Sequence, residues 1–515
     1  MCESDRDDCA GQNSVDFDLC IIGAGTIGCY LAGIFSGKKR VLVIENNGSH
    51  INRKPSSIKS DNNEYRGETV GRDFGLGGTS KLWSGQLVPY LNLEKSGRDE
   101  KSWRGMLPII EENTSLVRRR LGLNSQHMEY LPKGSSNAEP PWSGIVGGLS
   151  LVPIFSEWLP PTSRNFFKLF KKKIMRKRYV SIVEVDGLCK VETEKISTHK
   201  HKVVGVTFNK NGKKHSASTN SVVICCGALE STRMLMSIFI QNQKSLKSLG
   251  KNLSDHVSIK VGEIKMKKNG ILSQLFTPKF RSWSMQTVRL GQPRIGNNPA
   301  HFFSFVFDYR QSCGFNLLQE GIGLIQGNSN IQNFKAALDL GSLISLSHYF
   351  FYFVFKRELF VEQGSTVAVH LDFEQLQTSS TEVKCTLNKE KTAIKDSLVK
   401  WSVAENEFRN MRSKARAFVT KWNSIFPDEK ISLVDLDELS IANVYDVHHP
   451  VGTTKMGFDS RSIVDGRFEV KGFEGLFTLS TALFPSAGLS NPTFSLLCLA
   501  EEFAKQLTSS SSSRH

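Results

Sequence analysis

Two side chains late in the sequence are of types that can move a proton and hold an oxygen. His449 lies in the run His448-His449-Pro450-Val451-Gly452-Thr453-Thr454; its imidazole titrates near neutral pH and can accept the proton of a hydroxyl. Asn491 opens Asn491-Pro492-Thr493 and offers an amide donor able to fix that oxygen in place. Each has a plainer reading. His449 could be a core histidine satisfying local hydrogen bonds, and for His448 that reading is preferred. Asn491 could simply cap a helix, because Pro492 suits a first helical position and Phe494, Leu497, Cys498 and Phe503 follow at helical spacing.

A second constellation stands at the other end of the chain. Gly23-Ala24-Gly25-Thr26-Ile27-Gly28 follows the apolar run Asp18 to Ile22 and leads into Ile27, Leu31 and Ile34 at helical spacing; a further apolar run, Arg40 to Ile44, ends in Glu45. A strand, a glycine turn, a helix and a second strand in that order make a βαβ unit. Gly23 permits the tight turn, Gly25 lets backbone approach a pyrophosphate, and Gly28 lets helix pack on strand. The helix N-terminus attracts negative charge, and Glu45 would accept hydrogen bonds from the ribose hydroxyls of an adenosine. The turn alone does not separate NAD from FAD, so an NAD-dependent dehydrogenase stays open at this point.

The elements that must position these residues are spread along the whole chain. Residues 47–75 are polar and read as a long loop. Residues 90–175 show mixed helical patterns broken by Pro140-Pro141 and Pro160-Pro161. Tyr179 to Val185, Val203 to Phe208 and Ser221 to Cys226 read as strands, the last turning at Gly227 into a helix, Ala228 to Ile240. Strand-like stretches follow (Ile259 to Lys265, His301 to Tyr309, Ser365 to Leu371), then a charged amphipathic helix near Ala404 to Asn423. The serine run Ser509 to Ser513 reads as a disordered tail. Leu340 to Phe355 is strongly apolar and is followed by Lys356 and Arg357. It is short for a membrane span and is read as a buried or surface-docked helix. Peripheral contact of 340–357 with a membrane, its basic edge toward the headgroups, is the alternative.

Bulk composition sets limits. At 515 residues the chain should hold two or three folding units. Its formal charge of +16 is spread out; the densest run, Lys168 to Arg178, has apolar residues between its charges and reads as a solvated helix face. No nucleic-acid motif accompanies it, so no nucleic-acid partner is expected. The ten cysteines include no C-x-x-C pair and no zinc-like grouping with histidine, so no metal site is expected and a reducing compartment fits better than a disulfide framework. The acidic, polar start MCESDRDDCAG has no signal-peptide pattern, and a cytoplasmic location is the expectation.

Further segments separate the two cofactors. They are Gly77-Gly78-Thr79-Ser80-Lys81-Leu82-Trp83, Cys226-Gly227-Ala228-Leu229-Glu230-Ser231, Gly250-Lys251-Asn252-Leu253-Ser254-Asp255-His256, the His448 to Gly457 run, and Ser490-Asn491-Pro492-Thr493. In this order, with the first glycine turn, they resemble the glucose-methanol-choline (GMC) oxidoreductase family from about residue 16 to 507, closely in these segments and loosely over 90–175 and 260–430. The resemblance implies an α/β fold: a Rossmann-like FAD-binding domain in three parts (15–90, 179–258, 433–507) with a second, α+β substrate domain around an antiparallel-rich sheet (91–178, 259–432), and a tail (508–515).

It also implies oxidation of a CH–OH group of a small-molecule alcohol by hydride transfer to FAD, with His449 and Asn491 as the catalytic pair and oxygen or a redox partner as electron acceptor. The cofactor contacts it implies are Gly23, Gly25, Gly28, Glu45, Gly78, Thr79, Ser80, Val183, Gly227, Asn491, Pro492 and Thr493. Thr79 and Ser80 are equally explained as turn-forming hydroxyls. Some sugar oxidases of the family bond flavin covalently through a histidine just before the tryptophan; here that position is Leu82, so the flavin should be non-covalent. The acidic residue that many members carry before the Ala-Ser-x-x-Pro stretch is missing from Leu479 to Pro485. The ending Gly488 to Thr493, with Asn in place of a second histidine, resembles sugar- or glycoside-oxidising bacterial members. A catalytically idle flavoprotein acting as a binding module is the reading of a different class.

Overall fold

The first strand, Leu19–Ile22, is fully apolar and buried on both sides, as a central parallel strand must be. It pairs in parallel with Val41–Asn46 on one side and Val222–Ile224 on the other, with Cys20 opposite both Leu42 and Val222. Val180–Val185 and Leu476–Thr478 complete a five-stranded parallel sheet in the order 476–478, 222–224, 19–22, 41–46, 180–185. The sheet thus collects strands from three distant parts of the chain. The computed structural model describes residues 16–46, 58–61, 65–68, 70–88, 100–123, 148–175, 179–187, 189–281, 283–296, 298–309, 312–326, 329–376, 380–457 and 459–512. Much of the loop read over 47–75 and of the insertion over 91–178 therefore lies outside the described residues.

Helices cover the sheet. Thr26–Phe35 follows the glycine turn, and Tyr30 on it donates to Glu501 at 2.6 Å. That bond ties the first helix to the last, Pro492–Ser512, and Arg120 from the helix Glu100–Arg120 pairs with the same carboxylate. The last helix runs through Ser512, across all but the last residue of the serine run expected as tail. Thr508 and Ser509 hydroxyls bond the carbonyls of Ala504 and Lys505 four residues back, which lets a polar run continue the helix. On Phe166–Met175 the residues Phe166, Phe170 and Ile174 are buried and the lysines point outward; 176–178 lie outside the described residues.

The second layer is an antiparallel sheet in the order 432–433, 256–265, 366–374, 301–307, 284–292, 152–158, 86–87, with 279–281 and 445–446 paired at its flanks. Under it lies the helix Glu405–Ile425, whose buried Phe408, Met411, Ala415, Phe418 and Trp422 recur at three- and four-residue spacing. Phe418 stacks on Phe303 with ring centroids 3.7 Å apart. One apolar core runs through both layers, so the fold is the expected Rossmann-like unit joined to a substrate domain on an antiparallel sheet.

The 340s segment, expected as a buried or surface-docked helix, is a helix at the surface with much of its apolar side outward. Leu340–Phe351 is a helix whose buried residues are Ser342, Ser345 and Tyr349, while Leu340, Ile344 and Phe350 are exposed. Hydropathy registers how apolar a segment is, not which face is turned inward, and here the serines are turned inward. Among the described residues no helix is long and apolar enough to cross a membrane.

Candidate active site

The glycine turn sits at the carboxyl ends of the parallel strands, where this class of sheet binds its ligands. Gly23 has φ +99 and would place a Cβ 2.8 Å from the Cys225 carbonyl oxygen, and a Cβ on Gly28 would fall 1.8 Å from the Gly23 oxygen. Those two glycines are required by the protein's own packing. Gly25 is different: the nearest protein atom to an added Cβ is the Cα of Gly78, at 4.0 Å, and Gly25 lines a cavity of about 920 Å³. The space against it is open cavity. Glu45 lies at the same end, only 7% exposed, accepting hydrogen bonds from the Ala24 and Gly75 amides. Burial pushes its carboxyl up to about 7, with those amides working in the opposite direction.

The cavity runs from Gly23, Gly25 and Glu45 past Gly78, Thr79, Ser80 and Gly227 to His448, His449, Pro492 and Thr493. Most of the cofactor contacts expected from the sequence are thus gathered on one wall system. Ser80 is tied into the structure from both sides, its hydroxyl donating to the Gly77 carbonyl at 2.5 Å and accepting from the Phe166 amide at 3.0 Å. Val183 is not on the wall. It pairs with Ile44 inside the sheet, and Val185, two residues nearer the carboxyl end, lines the cavity instead. Leu82 also lines it and presents no nucleophile. Three cysteines do so as well, Cys189, Cys225 and Cys226, and burial raises all three thiols well above their usual range.

His449 is held by its backbone. Its amide donates to both carboxylate oxygens of Asp255, at 2.8 and 3.0 Å, and the same buried carboxylate accepts from the Tyr65 hydroxyl at 2.8 Å and the His256 amide at 2.7 Å. The ring of His449 meets His256 edge to face, with Nδ1 to Nδ1 at 3.4 Å. His256 Nε2 lies 2.7 Å from the Gly488 carbonyl oxygen. A carbonyl only accepts, so His256 carries its proton on Nε2 and its Nδ1 is an acceptor. The facing Nδ1 of His449 must then be the protonated one, which leaves His449 Nε2 as a bare acceptor.

Burial, followed by His256, Arg289 and His448, drives His449 well below the ordinary histidine value; His256 is brought to about 4, chiefly by burial. Both rings are neutral at physiological pH. Asp255, His256 and His449 also stand at metal-ligand spacing, but the Asp255 oxygens and His256 Nε2 are occupied by the hydrogen bonds just described.

Asn491 lies just behind the cavity wall. Its Oδ1 accepts from Arg289 Nη1 at 3.2 Å and its Nδ2 donates to Gln86 Oε1 at 3.2 Å. Arg289 is buried, donates to the Leu489 carbonyl at 2.6 Å and rests over the Phe302 ring at 3.7 Å. Sequence reading assigned no role to Asp255, His256 or Arg289. The first two sit in a motif noted for its resemblance alone; Arg289 is on a strand of the loosely matching region and carries no local signal. His448, with φ +65, turns its Nδ1 to Asp446 at 2.9 Å, the structural use its position suggested.

Comparison with known proteins places two segments. Models described as GMC oxidoreductase match residues 181–258 and 369–500. A 72-residue stretch is 33% identical to the oxygen-dependent choline dehydrogenase of Escherichia coli (strain K12), covering 14% of this chain and 13% of that relative's length. Among solved structures, pyridoxine 4-oxidase from Mesorbium loti superposes with a TM-score of 0.56 at 14% identity, over 95% of this chain and 98% of that one. Formate oxidase from Aspergillus oryzae RIB40 superposes with a TM-score of 0.53 at 15% identity, over 98% and 100%. At such identities the superpositions speak for the fold.

Proposed function

We propose that this chain, two segments of which match models of the GMC oxidoreductase family, belongs to that family and oxidises the CH–OH group of a small alcohol with His449 as general base. The family binds FAD, and the residues here fit that group: Gly25 opens onto the cavity, Glu45 stands where ribose hydroxyls would reach it, and the start of the Thr26–Phe35 helix faces the same space. When bound, the flavin supplies the acceptor for the hydride that leaves the carbinol carbon. The absence of a nucleophile at Leu82 and the raised pKa values of the three lining thiols support non-covalent attachment.

The observation that carries the reading is the pair of contacts from His256, Nε2 to the Gly488 carbonyl and Nδ1 to His449 Nδ1, which together assign the His449 proton to Nδ1. A neutral imidazole whose Nδ1–H is committed to His256 can receive a hydroxyl proton on Nε2 and on no other nitrogen. The Asp255 carboxylate fixes the backbone that aims the ring. Asn491, clamped between Arg289 and Gln86 beside the wall residue Pro492, is read as the amide that holds the substrate oxygen because the family resemblance pairs it with His449, and the Arg289 guanidinium next to it would favour negative charge on that oxygen as its proton departs. A sugar or glycoside is the favoured substrate class, because the Gly488 to Thr493 ending with Asn491 resembles the sugar-oxidising members. The test is anaerobic reduction of the bound flavin by a panel of sugars, sterols and simple alcohols. Bleaching by a sugar is the expected result; no bleaching by any member would overturn alcohol oxidation, and a purified protein lacking flavin absorption would return the NAD reading.

A further inference from the structure

The helix Leu340–Phe351 and the turn that follows it are inside out. Toward the protein the helix presents Ser342, bonded to its Asp339 cap at 2.9 and 2.8 Å, and Ser345, whose hydroxyl lies 3.2 Å from that of Ser312. Toward solvent it presents Leu340 (74% exposed), Leu343, Ile344, Phe350 (67%), Phe351 and, just beyond, Phe355. Helices facing water have the opposite arrangement. No charged residue occurs from 340 to 355.

The apolar stripe does not end with the helix. Trp283, 77% exposed between the strands Lys279–Arg281 and Ser284–Gln292, has its ring 6.0 Å from Phe353, which in turn meets Phe280 at 4.9 Å. Two separate chain segments therefore build one outward apolar face, larger than the scattered single residues normal on a soluble surface. Exposed Arg281 adjoins Trp283, exposed Arg357 lies 6.0 Å from the Phe353 ring, and exposed Lys356 and Lys335 follow and precede the helix in sequence. Of the acidic groups nearby, Asp339 caps the helix, Glu358 pairs with Lys279 at 3.3 Å, and Glu362 accepts from the inward-facing Ser345 hydroxyl at 3.4 Å.

The geometry points to docking of this face on the surface of a membrane that contains anionic lipid. The helix lies in the plane of the interface, its Leu, Ile and Phe side chains entering the boundary between headgroups and acyl chains, and its basic rim rests on phosphate and carboxylate headgroups. Trp283 and the phenylalanines are the side chains suited to that depth. A second copy of the chain fits less well: both copies would bring a cationic rim to the contact, on molecules already carrying +16. The inference is independent of the reaction proposed above.

The test is co-sedimentation of the full chain with phosphatidylcholine vesicles, with and without phosphatidylserine. Binding is expected to the anionic vesicles, weakened by about tenfold or more at high salt or with phosphatidylcholine alone. The double variant Ile344→Glu/Phe351→Glu should lose binding by a similar factor while keeping its melting temperature. Trp283→Phe, which leaves the helix untouched, should remove the blue shift of tryptophan emission on vesicle addition. Wild-type protein that stays in the supernatant with both vesicle types would overturn the proposal, as would equal pelleting of the double variant. A dimer in analytical ultracentrifugation that the double variant abolishes, without vesicle binding, would assign the face to a second copy.

Discussion

Replacing His256 by phenylalanine probes the proton arrangement without touching the cavity wall. The ring keeps its edge-to-face place between His449 and Phe302, but two hydrogen-bonding atoms vanish: the acceptor 3.4 Å from His449 Nδ1 and the donor 2.7 Å from the Gly488 carbonyl. His449 Nδ1–H then lacks its partner, so the tautomer with the proton on Nε2, which cannot act as a base toward the substrate, is no longer disfavoured. A buried donor left unmade costs about 1–3 kcal/mol, which at about 1.4 kcal/mol per decade converts to a fall in kcat/KM of roughly 5- to 150-fold. The assay is the rate of anaerobic flavin reduction in a stopped-flow instrument, normalised to bound flavin. His256→Asn, which retains an acceptor, should recover part of the loss. An unchanged rate for the phenylalanine variant would refute the tautomer argument, and a rate that fell only in step with flavin content would reduce His256 to a structural role.

The other predictions concern the base, the cofactor end and the turn. His449→Ala should keep its flavin and lose about 100-fold or more in reductive rate, as expected for a missing general base; because the wild-type ring is held neutral, kcat/KM should stay level as the pH drops past 6.5 and decline only well below it, whereas a decline centred on 6.5 would contradict the burial argument. Glu45, raised from 4.5 to about 7 by burial, binds more protons folded than unfolded between those values, so its contribution to stability is full below pH 4.5 and is lost as the pH rises through about 7. Ribose hydroxyls donating to the carboxylate would draw it back down, so FAD binding should release protons and tighten with rising pH across that window; calorimetry in buffers of different ionisation enthalpy that detects no release would disprove the contact. Gly25→Ala should fold normally, its Cβ meeting no protein atom closer than 4.0 Å, yet bind flavin about tenfold or more weakly, whereas Gly28→Ala, at 1.8 Å from a backbone oxygen, should fail to accumulate as folded protein; equal thermal melts for the two variants would remove the distinction between packing and ligand space.

What could be read in the sequence follows from how local each device is. The strand, glycine turn, helix and Glu45 are legible because the βαβ unit is continuous and each glycine answers a backbone requirement that only glycine meets. His449 is legible through the run around it. Its tautomer is not, because the deciding contacts come from His256 and Gly488, on different segments that meet only when the two sheets close on each other. Arg289 announces nothing in sequence, since an arginine on a strand of a loosely patterned domain ordinarily faces water; its burial depends on Phe302 beneath it and Asn491 and Leu489 beside it. Val185 rather than Val183 meets the cavity for a geometric reason: a strand can be recognised by composition, but where the cavity begins along it depends on the neighbouring strands. The helix at 340 shows the same limit, for a stripe of Leu, Ile and Phe has the same composition whether it faces the core or the solvent.

The parallel sheet has a consequence for how the protein is made. Its outer strand, Leu476–Thr478, docks on Val222–Ile224, and residues 225–475 intervene between them. On the ribosome, the glycine turn and the first four strands emerge long before the strand that closes the sheet, and before His449 and Asn491 exist at all. The exposed edge of Val222–Ile224, three apolar residues fully buried in the finished fold, must wait for half a chain of synthesis, which favours slow maturation and a need for protection of that edge.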